Sequence, residues 1–269
     1  MTRALALVGL VAALAGCVEL GVVGDGTTVS VGHAAGGLLL DGARLPARGE
    51  GFHVPARWRA RGSLYGTDEL VAVIATAGRT VAAELPGASI GVADLSRPGG
   101  GEGPHHRSHQ TGRDVDLLFF VTDRAGRPVE LEEMRHFGET GTTVDGGPPL
   151  SFDAARTWRL VRALLLAPGP GIDHIFVYAP LRAAMLDHAR ASGEPEWLVA
   201  WAGELLSQPS DSAPHDDHLH VRIRCPDGDW VCQGRGVGKK PPRDPVAPVA
   251  AALASRPIVG ALRIYRSPW

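Results

Sequence analysis

The chain has 269 residues, 44% of them hydrophobic, which suits one domain with a real core plus tails. A formal net charge of -2 and a pI near 6.6 show neither a basic face for nucleic acid nor an acidic tail, so charge names no partner and nucleic acid is not expected. Glycine (35) and proline (21) are abundant while aromatics are scarce, which points to many turns and modest core side chains. In chain order, the first feature is an export leader over residues 1–16: Arg3, a short apolar stretch from Ala4 to Ala15, then Leu14-Ala15-Gly16-Cys17. That stretch is too short for a bilayer span, which needs about 20 apolar residues. Its ending resembles a lipobox, in which Cys17 is acylated and becomes the first mature residue; an ordinary leader with a chance cysteine is the alternative. Val18 stands where an inner-membrane retention Asp would stand, which in a Gram-negative cell resembles sorting to the outer membrane, facing the periplasm.

From Cys17 to residue 60 the Gly-rich sequence reads as a linker with loosely attached extended segments. Thr67 reads as an N-cap with Asp68 and Glu69 in the first turn, and Leu70, Val71, Ile74, Ala77 and Val81 follow helical spacing up to Pro86-Gly87. A short strand is expected over Ser89 to Ala93, a turn-rich run over Arg97 to Pro104, and a β-type run over Val115 to Val121. A second helix is expected from Ser151 with Trp158, Val161 and Leu165 inward, then a strand over Ile172 to Tyr178. Helices over Leu181 to Ala191 and Glu196 to Leu206, each opened by a proline, and a final strand over Leu219 to Arg224 complete the pattern. Trp158, Trp197 and Trp201 read as core. Residues 236–269 read as a tail. Helices and strands mix without βαβ spacing, so the expected class is α+β with a small antiparallel sheet and flanking helices.

Six of the eleven histidines fall in two windows, His105, His106 and His109, then His215, His218 and His220. Histidine is the commonest metal ligand, and two clusters far apart in sequence invite one shared ion. Residues two apart on a strand share a face, so His218 and His220 both look into one site. A catalytic zinc takes three protein ligands and keeps an open position, and His109, Asp116 and one histidine of the pair would supply that set. The other histidine would manage protons or hold the developing oxyanion. The apolar run Leu117 to Phe120 mounts Asp116 on the core. Asp114 and Asp116 as a calcium-type ladder is an alternative, but the window offers too few oxygen ligands. Arg113 and Arg222 are open to either substrate-carboxylate binding or ion-pair duty. If Cys17 carries lipid, Cys225 and Cys232 remain as a pair for a disulfide in an oxidising compartment, with free thiols or metal ligation as alternatives.

At these residues the sequence resembles the penicillin-insensitive murein endopeptidases, within the zinc peptidases that include D-Ala-D-Ala dipeptidases, carboxypeptidases and the hedgehog domain. The matching stretches are Tyr65-Gly66-Thr67-Asp68-Glu69-Leu70, Val92-Ala93-Asp94-Leu95-Ser96, His106-Arg107-Ser108-His109-Gln110 with Gly112-Arg113-Asp114-Val115-Asp116, Ile175-Phe176-Val177, and His218-Leu219-His220-Val221-Arg222 with Cys225-Pro226. They span roughly residues 40 to 233. The resemblance implies a peptidase domain over 61–235 with a zinc site on the sheet. It gives zinc to His109, Asp116 and His220, a catalytic role to His218, and His215 the place where related dipeptidases keep a general-base Glu. His106 matches a histidine that holds an additional metal ion in the family. Asp145 or Asp153 would have to join it, and no matching histidine accompanies them. The implied reaction is hydrolysis of D-Ala to diaminopimelate cross-links in peptidoglycan. A carboxypeptidase or dipeptidase of the same fold and a non-catalytic zinc-containing wall-binding module are the alternatives.

Overall fold

The computed structural model describes residues 25–210 and 212–234; the leader, Cys17 and the tail 236–269 lie outside the described residues. Among the described residues five helices pack around small sheets: α1 (Ala56–Arg61), α2 (Asp68–Glu84), α3 (Ala154–Leu166), α4 (Ala179–Ala191) and α5 (Glu196–Leu205). The architecture is mixed α+β, as the unpatterned alternation of elements implies.

The largest sheet has four strands in the order Leu206–Ser207, Ile172–Phe176, His218–Ile223, Asp114–Leu118. The first pair is parallel and the other two are antiparallel. All five residues of the Asp114 strand are buried, so it is covered on both faces. The expected single run from Val115 to Val121 is broken. After Leu118 the chain leaves this sheet, and Val121–Thr122 pairs with Pro128–Val129 and Ser151–Phe152 in a separate three-stranded sheet.

Local chemistry sets the helix ends. Thr67 Oγ1 accepts from the Leu70 N–H at 3.2 Å and starts α2, whose residues Leu70, Val73, Ile74, Ala77 and Val81 are buried. The helix expected from Ser151 begins later, because Ser151 and Phe152 serve as a strand and Asp153 is the cap, accepting from the Arg156 N–H at 3.0 Å. Pro180 and Pro195 stand at the starts of α4 and α5, where the missing N–H costs nothing. Trp158 and Trp201 are core residues and Trp197 packs partly buried against them.

The segment read as linker is not loose from residue 28 onward. Val29–His33 and Gly36–Leu40 form an antiparallel hairpin, and Leu45, Phe52, Val54 and Trp58 are buried in the same core as α2 and the Asp114 strand. The hairpin is stitched to distant parts: the Gly37 N–H donates to Gln110 Oε1, the Leu39 N–H to the Gly99 carbonyl, and the Ser30 N–H to Asp229 Oδ2. Cys225 and Cys232 are joined in a disulfide, and their loop meets the hairpin through Gly32 N–H to the Val231 carbonyl and Gln233 N–H to the Gly32 carbonyl.

Candidate active site

The two strands that carry the site are registered so that His220 lies opposite Asp116, Arg222 opposite Asp114 and His218 opposite Leu118. Alternation then puts His218, His220, Asp114 and Asp116 on one face of the sheet. His109 arrives from the preceding loop with φ 64°, left-handed backbone that a β-carbon resists, and Gly112 at φ 72° turns that loop into the strand. A β-carbon at Gly112 would meet the Leu39 side chain at 2.6 Å, so this turn is also where the hairpin closes on the site.

Three buried ligand atoms converge. His109 Nε2 and His220 Nδ1 are 3.2 Å apart, and Asp116 Oδ1 is 3.3 Å from the first and 3.0 Å from the second. Ligands bound about 2.0–2.2 Å from one tetrahedral ion stand roughly 3.3 Å from one another, so the triangle has the right edges for a metal. The remaining ring nitrogens are already committed. His109 donates its Nδ1–H to the Leu95 carbonyl at 3.2 Å, and His220 donates its Nε2–H to Asp114 Oδ1 at 3.0 Å. These bonds select the tautomers whose lone pairs face Asp116. Asp116 Oδ2 is buried without a hydrogen-bond partner, a costly condition that a bound cation would relieve. The donor set therefore fits a divalent metal, and His106, His109 and Asp116 also bring ligand atoms within 4.8 Å of one another.

His218 stands beside this triangle, its Nε2 3.3 Å from Asp116 Oδ1, while its Nδ1–H donates to Asp217 Oδ1 at 2.6 Å. Burial opposes a charge on this ring, but Asp116 and Asp217 outweigh it and push its pKa up to about 10. His215 behaves in the opposite way. Burial, reinforced by His218, lowers it to about 4, and its Nδ1–H is given to the Ala213 carbonyl. Its backbone is also left-handed, at φ 56°. The rings of His215 and His218 lie 5.0 Å apart, so a group that readily holds a proton faces one that readily stays neutral. Burial alone would raise both site carboxyls, yet Arg222 and His220 hold Asp114, and His109 and His218 hold Asp116, well below the usual range.

Other sequence candidates resolve differently. Asp114 serves His220 and Arg222, whose Nε lies 2.6 Å away, so a calcium-type ladder is not what this strand builds. Arg113 is fully buried and donates to the carbonyls of Ile223 and Gln233, tying the strand to the disulfide loop. Asp145 is gripped by Arg135 and Asp153 caps α3, so the two acids considered for a second ion have other partners. His106 donates to Asp94 Oδ2 at 3.0 Å, and Asp94 also pairs with Arg61. Asp94 and Asp217, which position His106 and His218, were not singled out from sequence. Neither were His174 and Phe176, whose rings stack 4.2 Å apart and extend towards His220. Asp217 precedes His218 directly, and Asp94 and Phe176 lie within stretches that carry the family resemblance; these were the available signals.

A family model described as penicillin-insensitive murein endopeptidase matches residues 30–244. The chain is similar to the penicillin-insensitive murein endopeptidase of Haemophilus influenzae, 27% identical over 219 residues that cover 78% of this chain and 68% of that one. It is 25% identical over 227 residues to the proteins of the same name from Klebsiella pneumoniae and from Escherichia coli O1:K1, covering 81% of this chain and 74% of each relative.

Proposed function

The chain belongs to the penicillin-insensitive murein endopeptidase family, and from that premise we propose a zinc-dependent enzyme that hydrolyses D-Ala to diaminopimelate cross-links in peptidoglycan. That it is a peptidoglycan peptidase follows from the family; zinc and the bond cleaved are the proposed part. The carrying observation is the triangle of His109 Nε2, His220 Nδ1 and Asp116 Oδ1, with edges of 3.0–3.3 Å and both imidazoles locked from behind. Zinc held there would polarise a scissile carbonyl and ready a water for attack. The hedgehog-type metallopeptidase fold is the finer reading of a small sheet that presents such ligands on one face.

The remaining chemistry lies with this chain's own residues. Asp217 holds the Nδ1–H of His218, so its Nε2 is directed to Asp116 beside the metal triangle, where a proton is handed to or taken from the reacting group. His215, kept neutral by burial with its Nδ1–H on the Ala213 carbonyl, presents an Nε2 lone pair as an acceptor beside His218. Arg113 spends both terminal nitrogens on backbone carbonyls and Arg222 is paired through Nε with Asp114, which leaves Arg113 without a group for a substrate's terminal carboxylate. Cleavage within a cross-link is supported by the endopeptidase family to which the chain belongs.

Acylation of Cys17 and a place on the periplasmic side of the outer membrane complete the proposal; Cys17→Ala should be retained uncleaved or mislocalised, and a wild-type mature protein that is soluble and starts at another residue would overturn the anchor. The enzymatic reading is tested by digesting purified murein with the protein and identifying the released muropeptides. Cross-linked dimers should convert to monomers, a chelator should stop the reaction, and zinc should restore it. Activity that survives complete metal removal would sink the mechanism.

A further inference from the structure

A second group of ligand-type side chains sits away from the histidine windows. His53 ends the strand Phe52–His53, which is paired in parallel with Ile90–Gly91, and its side chain is only 3% exposed. Its Nδ1 lies 2.8 Å from Ser89 Oγ. Its Nε2 makes no hydrogen bond, although Glu130 Oε1 is 3.0 Å away, and it borders a cavity of about 170 Å³ between Ser89, Leu118, Phe120 and Glu130. Glu132, from the same loop, completes the group: one ligand atom from each of His53, Glu130 and Glu132 lies within 4.8 Å of the others.

Burial favours the neutral form of His53 despite Glu130 beside it. With its Nδ1–H on Ser89 Oγ, a neutral ring would offer the buried, unbonded Nε2 to a cation that Glu130, 3.0 Å away, would also ligate. Two ligand atoms of one ion are expected at about that separation. An imidazole in the set selects a first-row divalent ion over calcium or magnesium, and two carboxylates supply the charge.

We propose that His53, Glu130 and Glu132 form a cation site of their own, taking zinc or a similar divalent ion and clamping the loop at residues 130–132 onto the Phe52–His53 strand. The site shares no residue with the Asp116 centre and does not depend on it.

The test is calorimetric titration with zinc chloride, beside thermal melts with and without zinc, on the full mature chain. A His220→Ala parent weakens the other centre. Adding Glu130→Gln and Glu132→Gln, both loop changes away from the core, should then weaken zinc uptake at least tenfold and erase any zinc-dependent rise in Tm. The same pair of changes in the wild-type chain should remove one equivalent of zinc and leave murein cleavage intact. Uptake and melting that the two glutamine changes do not alter would overturn the proposal, whatever the Asp116 centre binds.

Discussion

His218 and His220 share a face of one strand yet face different neighbours, and this makes them separable by substitution. His220 meets His109 and Asp116 at 3.2 and 3.0 Å, whereas His218 is held by Asp217, lies 3.3 Å from Asp116 and faces the His215 ring. His220→Ala should therefore lose zinc and activity together. His218→Ala should keep zinc while turnover falls about 10²-fold or more, as for a lost proton carrier, and His215→Ala should follow it. Zinc content measured beside cross-link cleavage for the three variants decides the matter; if His218→Ala loses zinc and His220→Ala retains it, the roles are reversed. Asp114→Ala removes the acceptor that fixes the His220 tautomer and should weaken zinc by about 10–100-fold. Equilibrium zinc competition would show this, and unchanged affinity would mean Arg222 is the only partner that matters to Asp114. That His218 and His220 share a face was legible in sequence, because residues two apart on a strand point the same way. The left-handed backbone at His109 and His215 was not, since it is imposed by contacts remote in sequence.

At the level of elements, the loop between Leu131 and Leu150 leans on the catalytic segment: the Phe137 N–H donates to the Asp216 carbonyl and His136 pairs with Asp216 at 3.0 Å. Arg135 braces this loop with two bonds to Asp145, which hold that carboxyl well below its usual range. A carboxyl whose pKa is depressed in the folded state contributes stability above its unfolded value and loses it as pH falls through the folded one. Asp145→Asn should thus cost about 1 kcal/mol at pH 7, and the gap to wild type should close progressively below about pH 4. Denaturant melts of both proteins across that range check it; a gap that persists in acid would mean the pairing is not its source. Helices were the easiest elements to foresee, because Thr67, Pro180 and Pro195 mark their starts chemically. Strands of two residues, such as Phe52–His53 and Ile90–Gly91, leave no period to detect, and their pairing is decided by the core they cover.

For the whole molecule, the open question is where the folded unit begins. Composition suggested residue 61, because glycines and scattered apolar residues look like linker when no partner is in view. The structure buries Leu45, Phe52, Val54 and Trp58 from that stretch, each fully enough to contribute roughly 1.5–3 kcal/mol on burial. Together they rival the 5–15 kcal/mol that separates a folded domain from its unfolded chain. A chain beginning at residue 61 should therefore not fold. The hairpin before them has a different duty. Its contacts run to the loop that carries His109, through Gly37 to Gln110 and the Gln110 N–H to the Ala34 carbonyl, and to the disulfide loop behind His220. Removing residues 25–41 should leave the core covered but free the His109 loop, lowering zinc affinity and cross-link cleavage more than it lowers Tm. A chain starting at residue 25 should match the mature protein in all three measurements. Comparing starts at residues 25, 42 and 61 by thermal melting, zinc titration and murein digestion separates these outcomes. Full activity from a chain beginning at residue 61 would show that the N-terminal segment is an accessory to this fold and not part of it.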